Sequence, residues 1–350
     1  MHTSNLRIAR KRAAELDRKL AEGLPVLKLP NEEPKPVMIS ISNAIDDFVD
    51  YCKTEGCRRR TCTKYRGILT RFAEFAARLG VQQLDQVTVS LVDRYRKHRK
   101  LTLSPKSMHH EGQAVKAWLE WARTRGHIAA NPLAEVHYTP PIQEPRGGPT
   151  LEQVNAILAA ASERHRPILT LLAFTGARSG EVQRARVEDI DFTDNWFRIV
   201  SRPGAETKSG KSRKVPLHPR LRAVLEALPR RRDGYFFVAE ASKKYPLGDH
   251  WISTNHLNEA FLGVLKSLGI PAGRDGGFTI HSLRHFFRTH CTNSRVQERV
   301  IDIWLGHAHD KSMGAVYYKL YDEQSQQFMA AVPFDEDKLL TDTDTKGERR

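Results

Sequence analysis

Between positions 138 and 149 the chain reads YTPPIQEPRGGP, and no regular helix or strand runs through four prolines and a glycine pair. The stretch reads as an interdomain linker, so each flanking piece must build its own core, and 350 residues supply enough chain for both. Upstream, residues 39–137 show only helical spacing: SNAIDDFVDYC, TKYRGILTRFAEFAARLG, SLVDRYRKHRK and PKSMHHEGQAVKAWLEWARTRG repeat apolar residues at three-to-four intervals. Gly80 and Gly126 stand where a helix-ending glycine belongs, so a compact domain of four helices is expected. Downstream, over 150–334, Thr150 and Gln153 form a capping box for LEQVNAILAAA, and HRPILTLLAFTG is a buried helix stopped by Gly176. DIDF, WFRIV and SRKVPL follow as short strands, the last two joined by a polar loop. LRAVLEAL, NHLNEAFLGVLKSLG, HSLRHFFRTH, QERVIDIWLG and SMGAVYYKLY then return to helix. The expected fold class is mainly α with a small antiparallel β-sheet, as a helical domain followed by a mixed α/β domain.

The ends differ from these two pieces. Residues 1–38 form a basic N-terminal extension in which RIARKRAAELDRKLAEG is helical in pattern, either an arm that contacts a polyanion or a solvated helix. The tail 335–350 mixes acid and base without aromatic residues and is expected to be disordered. Lys plus Arg number 56 against 41 Asp plus Glu, a formal charge of +15 that favours an extended polyanion such as double-stranded DNA as partner. Arg58, Arg59, Arg60, Lys64, Arg66, Arg71, Arg94, Arg96 and Lys97 could line a DNA face of the helical domain. No run of 18 apolar residues and no apolar signal region is present, so a cytoplasmic, nucleoid-associated protein without membrane attachment is expected. Cys52, Cys57 and Cys62 recur at five-residue spacing with Cys291 far away; this is no zinc pattern and suits reduced thiols.

Four motifs carry residues suited to attack on a DNA phosphodiester: TGARSGEV, TKSGKSRKVPL, HSLRHFFRTH and LGHAHDKSMGAVYYKL. Arg178 opens the short helix RSGEVQRA, where a planar guanidinium can grip two phosphate oxygens, although pairing with Glu181 is its ordinary alternative. His281 and Arg284 are three apart on one helix, so both leave the same face and can share one phosphate, though an HxxR by itself is weak. His307 follows the helix-ending Gly306, and a helix C-terminus tends to keep an imidazole protonated and donating. Lys208 lies in the loop between two strands and can deliver a proton to a leaving oxygen; Lys211, Arg213 and Lys214 compete for that role. Tyr317 is a nucleophile once cations surround its phenol, or otherwise a core aromatic. His285, His290, Cys291 and His309 raise the thought of a metal cluster, but the spacing offers no strong ligand pair, and no metal is expected.

In this order, with a hairpin lysine between the first and third motifs, the chain resembles the tyrosine recombinase (phage integrase) family over roughly residues 40–330. The likeness includes an Asn131, Pro132, Leu133 step at the end of the helical piece. It implies a core-binding, SAM-like DNA-binding domain over 39–137, a linker over 138–149 and a tyrosine-recombinase catalytic domain over 150–334. Carried over by position, Arg178, Lys208, His281, Arg284, His307 and Tyr317 fill all six catalytic places, and the spacing from Met313 selects Tyr317 over the adjacent Tyr318. The resemblance implies an active site-specific recombinase that cleaves through a 3′-phosphotyrosine, releases a 5′-hydroxyl and rejoins strands without ATP, divalent ion or other cofactor. It implies a specific recombination site as substrate, a homotetramer on two duplexes with exchange of helix 323–333, and an accessory directionality factor. A type IB topoisomerase uses nearly the same residues, but the helical first domain speaks against it; a non-catalytic DNA-binding protein is the other alternative.

Overall fold

A computed structural model describes residues 6–22, 39–142, 147–229, 231–243, 245–307 and 320–334. Tyr317, Tyr318, residues 143–146 of the linker and the tail from 335 lie outside them. The chain divides into two units, Met1–Glu144 and Pro145–Arg350.

In the first unit, α1 spans Leu6–Ala21, followed by α2 (Ile41–Thr54), α3 (Arg59–Ala77), α4 (Val89–Arg99) and α5 (Pro105–Thr124). Ser40, Thr88 and Ser104 each accept a hydrogen bond from the backbone N–H three residues on, which fixes the starts of α2, α4 and α5. The apolar stripes of α2 to α5 close on one core of Phe48, Leu69, Phe72, Tyr95, Trp118 and Leu119. Within it the buried Glu111 accepts from Tyr95, Arg71 and Arg99, so its charge is matched rather than stranded. Asn131 Oδ1 takes the Leu133 N–H at 2.9 Å and seats Leu133 in the same core. Cys52 and Cys62 are buried, Cys57 is exposed, and none is disulfide-bonded.

The second unit begins with α6 (Leu151–Ala160), whose capping box is present: Gln153 N donates to Thr150 Oγ1 and Thr150 N to Gln153 Oε1. Next come α7 (Arg166–Thr175), α8 (Ser179–Gln183), β1 (Ile190–Asp191), β2 (Trp196–Ile199), β3 (Arg213–Pro216) and α9 (Pro219–Glu226). Among the described residues the unit finishes with α10 (Thr254–Ser267), α11 (Ser282–Asn293), α12 (Glu298–Leu305) and α13 (Asp322–Ala330). The sheet is antiparallel in the order β1-β2-β3, with Phe197 paired to Val215 and both buried. It lies beside helices, so the fold is mainly α with one small antiparallel sheet.

Apolar α7 is buried along its length and forms the middle of the core, with α11, α9 and α6 against it. The segment expected to exchange between protomers is seated here in its own chain: Met329 and Val332 join the core, as does Phe334 just beyond it, whose ring stacks on Phe174 with centroids 3.9 Å apart. Trp304 Nε1 donates to Ser325 Oγ at 2.9 Å and Lys214 pairs with Asp322, fixing α13 to α12 and β3. Among the described residues no helix is long and apolar enough to cross a membrane.

Candidate active site

Helix α11 turns Leu283, Phe286, Phe287 and Cys291 into the core, and Arg284 lies among them only 6% exposed. A guanidinium in such a place must have acceptors, or its desolvation would cost several kcal/mol. It finds them at two helix ends: Nη1 donates to Gly176 O and Nη2 to Leu305 O, each at 2.7 Å. These carbonyls end α7 and α12, where unpaired C=O groups and the helix dipole favour a cation. Burial, then the nearby Arg178 and Arg213, pushes the Arg284 pKa down to about 9, so it is still a cation at neutral pH.

Glycine is required where those two helices end. Gly176 (φ 60°) and Gly306 (φ 64°) are both left-handed. A Cβ on Gly176 would also stand 2.6 Å from Leu305 Cδ2 and Phe287 Cδ1. Gly176→Ala is therefore expected to destabilise the chain by about 1–3 kcal/mol. Thermal unfolding checks it: the melting point should fall by several degrees, and an unchanged one would mean that α11 and α12 can move aside.

Arg178 caps the N-terminus of α8 with its backbone N–H on Glu181 Oε2 at 2.8 Å, and its Nη1 lies 3.0 Å from Glu181 Oε1. The ordinary ion-pair use is thus present. It does not use up the guanidinium, because Nη2 makes no hydrogen bond among the described residues. Glu181 is shared: Arg213 meets it with Nη1 at 3.0 Å and Nη2 at 2.7 Å, while Arg213 Nε donates to Trp304 O at 2.7 Å. Burial by itself would raise the Glu181 carboxyl, but the Arg213 hydrogen bonds and charge, with Arg178, hold it below the usual carboxylate range. One carboxylate thereby anchors Arg178 to the end of α12 through Arg213, and Arg178, Arg213 and Arg284 together leave an excess of positive charge.

His281 precedes α11 and is exposed, its ring 5.2 Å from that of His285 in an edge-on contact. Partial desolvation lowers its pKa, followed by the positive charges of His285, Arg284, Arg178 and Lys208. Lys208 thus belongs to the same electrostatic neighbourhood as both arginines. It is exposed in a turn closed by Gly210 N on Thr207 O, and the buried Thr207 organises that loop, its hydroxyl donating to Lys211 O at 2.7 Å and its backbone N–H to Ser201 Oγ at 3.1 Å. Of the competing cations, Arg213 is spent on Glu181 and Lys214 on Asp322 and the Trp196 ring, 4.1 Å from its centroid. Lys211 is exposed in the same loop.

His307 departs from expectation. Its imidazole is shifted downward, first by burial and then by Arg284 and Arg288, against the opposing pull of Asp302, so it rests neutral rather than protonated. The end of α12 that was to stabilise its charge is already taken: Leu305 O binds Arg284. Tyr317 lies outside the described residues, so Arg178, Lys208, His281, Arg284 and His307 are the predicted site residues whose positions are given. The sequence reading took Glu181 only as an ordinary ion-pair alternative for Arg178, missed Asp302, and weighed Arg213 only as a rival acid. Strand alternation held the signal for Arg213, since it shares a side of β3 with the buried Val215.

Among the described residues no group of three or more His, Cys, Asp or Glu is arranged to hold a metal. His290 Nε2 instead lies 2.8 Å from Pro333 O, and Cys291 is fully buried, with its thiol pushed up by desolvation.

Residues 150–324 match the phage integrase family. The chain is 30% identical over 263 residues to tyrosine recombinase XerC 2 of Ralstonia nicotianae, across 69% of this chain and 71% of that protein. Its fold is similar to that of lambda integrase as a dimer bound to a COC′ core site, with a TM-score of 0.65 at 17% identity over 93% of this chain and 88% of the other. The lambda integrase tetramer bound to a Holliday junction gives 0.64 at 17% identity, over 89% and 90%.

Proposed function

Since the chain belongs to the phage integrase family and is a tyrosine recombinase, a site-specific DNA strand transferase, we propose that it cleaves and rejoins duplex DNA through a phosphotyrosine formed on Tyr317. The observation that carries this reading is the cation cluster. Arg284 is locked between two helix ends, Arg178 is anchored through Glu181 and Arg213 to one of the same helices, and His281 feels Arg178, Arg284 and Lys208 together. Such an array meets an anion already organised, and the scissile phosphate, which gains charge at its equatorial oxygens during attack, is the anion that suits it.

In the proposed reaction Arg178 and Arg284 clamp the phosphate with His281 and His307 beside them. The Tyr317 oxygen, its phenolic proton passing to solvent, bonds to phosphorus as the bond to the 5′-oxygen breaks, and Lys208 gives that leaving oxygen a proton. The 5′-hydroxyl of a partner strand reverses the step, and the phosphotyrosine keeps the bond energy, so no ATP is consumed. Residues 39–137 serve as the core-binding domain and 150–334 as the catalytic domain. The lambda integrase structures, one a dimer on a core site and one a tetramer on a Holliday junction, support duplex DNA as partner and a homotetramer on two duplexes as the working assembly. An accessory directionality factor completes the proposed set of partners.

Covalent capture tests this. A duplex selected from a random pool by binding to the chain, then nicked, should give a protein–DNA adduct on a denaturing gel, and EDTA should not diminish it, because arginine and histidine neutralise the phosphate. Loss of the adduct on chelation with recovery on adding Mg²⁺ would overturn the metal-free mechanism. Tight binding with no adduct would leave a DNA-binding protein only.

A further inference from the structure

His307 is held from both sides by groups whose hydrogen-bonding capacity is fixed. Its Nδ1 lies 3.0 Å from Asp302 Oδ1, and its Nε2 lies 3.0 Å from Arg284 Nη2. A guanidinium can only donate, so Nε2 must accept; an ionised carboxylate can only accept, so Nδ1 must carry the hydrogen. Nδ1 also faces a donor, Arg288 Nη1, so the tautomer is decided at Nε2: among the described residues it meets Arg284 alone and must accept, which leaves the single hydrogen of a neutral ring on Nδ1, toward Asp302. Asp302 is itself fixed by Arg288, whose Nη1 reaches the same Oδ1 at 2.7 Å while Nη2 pairs with Glu298. Arg288 follows Arg284 by one helical turn on α11, so the two arginines flank the imidazole, and Arg288 Nη1 lies 3.1 Å from Nδ1.

We infer that Asp302 is a positioning residue for strand cleavage, which holds His307 as the Nδ1–H tautomer and keeps Nε2, the nitrogen beside Arg284, without a proton until substrate arrives. This rests on the recombinase reading above. The resting imidazole accepts from Arg284 and has no hydrogen to offer a phosphate at Nε2. A phosphate that draws the Arg284 Nη2–H to itself frees Nε2, and the Asp302 bond at Nδ1 keeps the ring facing that place. Without Asp302, Nδ1 is left facing the Arg288 guanidinium, a donor, so both ring nitrogens meet donors and the ring is expected to revert to the Nε2–H form usual for free imidazole side chains, whose hydrogen would confront Arg284.

The test reads the tautomer first. In the full chain with ¹⁵N-labelled histidine, NMR should show a neutral His307 with its hydrogen on Nδ1, assigned by its disappearance in His307→Gln; a resting Nε2–H form would overturn the inference, whatever the activity. In Asp302→Leu the hydrogen should move to Nε2, and covalent complex formation on the selected nicked duplex should slow by about ten- to a hundredfold with DNA affinity unchanged. Asp302→Asn, whose amide oxygen can still accept from Nδ1, should keep the parent tautomer and recover to within about tenfold of the parent rate. An Asp302→Leu chain as fast as the parent would also sink the idea, and if that variant fails to fold, the parent spectrum alone decides. A parent chain that forms no adduct would remove the recombinase reading while leaving the tautomer result standing.

Discussion

Tyr317→Phe is expected to bind DNA as tightly as the parent chain and to form no covalent complex, while Tyr318→Phe retains cleavage. The substitution removes one oxygen, the atom that would bond to phosphorus, so the loss should reach the limit of detection. In the helical pattern that the sequence sets around Tyr317, adjacent side chains would diverge by about 100°, so both phenols could not address one phosphate. Met313 and Val316 are apolar and belong toward the protein, and spacing from Met313 and His307 gives the attack to Tyr317. The phosphate itself is to be held by Arg178 and Arg284, whose anchors on Glu181, Gly176 O and Leu305 O do not depend on either tyrosine. Binding and chemistry should therefore separate cleanly. Labelled DNA on a denaturing gel, beside a filter-binding curve, reads both; an adduct in Tyr317→Phe that vanishes in Tyr318→Phe would move the nucleophile by one residue.

Much of the scaffold was legible because it rests on local rules. Gly176 and Gly306 could be read as helix ends because a left-handed residue strongly favours glycine, and Thr150 with Gln153 as a helix start because the reciprocal cap needs that pair at that spacing. The hairpin followed from β-branched and aromatic runs on either side of a polar loop. Alternation along β3 could single out Arg213 of KSGKSRK as the inward cation, but not what it meets there. At the start of β3 Arg213 meets the buried Glu181 of a helix more than thirty residues earlier and Trp304 O ninety-one residues later. No window of sequence contains both partners.

His307 shows the same limit from the other side. A rule about helix ends is sound for a helix in isolation, yet at α12 the favourable carbonyl had been claimed by Arg284 from α11. Two cations do not share one helix end without cost, so the imidazole rests neutral and finds Asp302 instead. Charge assignments made one element at a time fail where several elements converge, which is where an active site forms.

Lys208→Ala is expected to slow cleavage by about a hundred- to ten-thousandfold, the usual worth of a general acid, with little change in DNA affinity. The loop offers four cations, and the fold removes two of them from contention: Arg213 is buried against Glu181, and Lys214 is held by Asp322 over the Trp196 ring. Lys208 carries a charge that depresses the His281 imidazole alongside Arg178 and Arg284. Its turn is shaped from below by the buried Thr207, so the ammonium stands on an exposed but organised tip rather than a loose one. If its task is to protonate the departing 5′-oxygen, a substrate with sulfur at that bridging position needs no such help, because a thiolate leaves unaided. Single-turnover cleavage of the two substrates by Lys208→Ala should then differ by nearly the whole deficit. A variant equally slow on both would assign the proton to another group, with Lys211, the other exposed lysine of the loop, the next to be replaced.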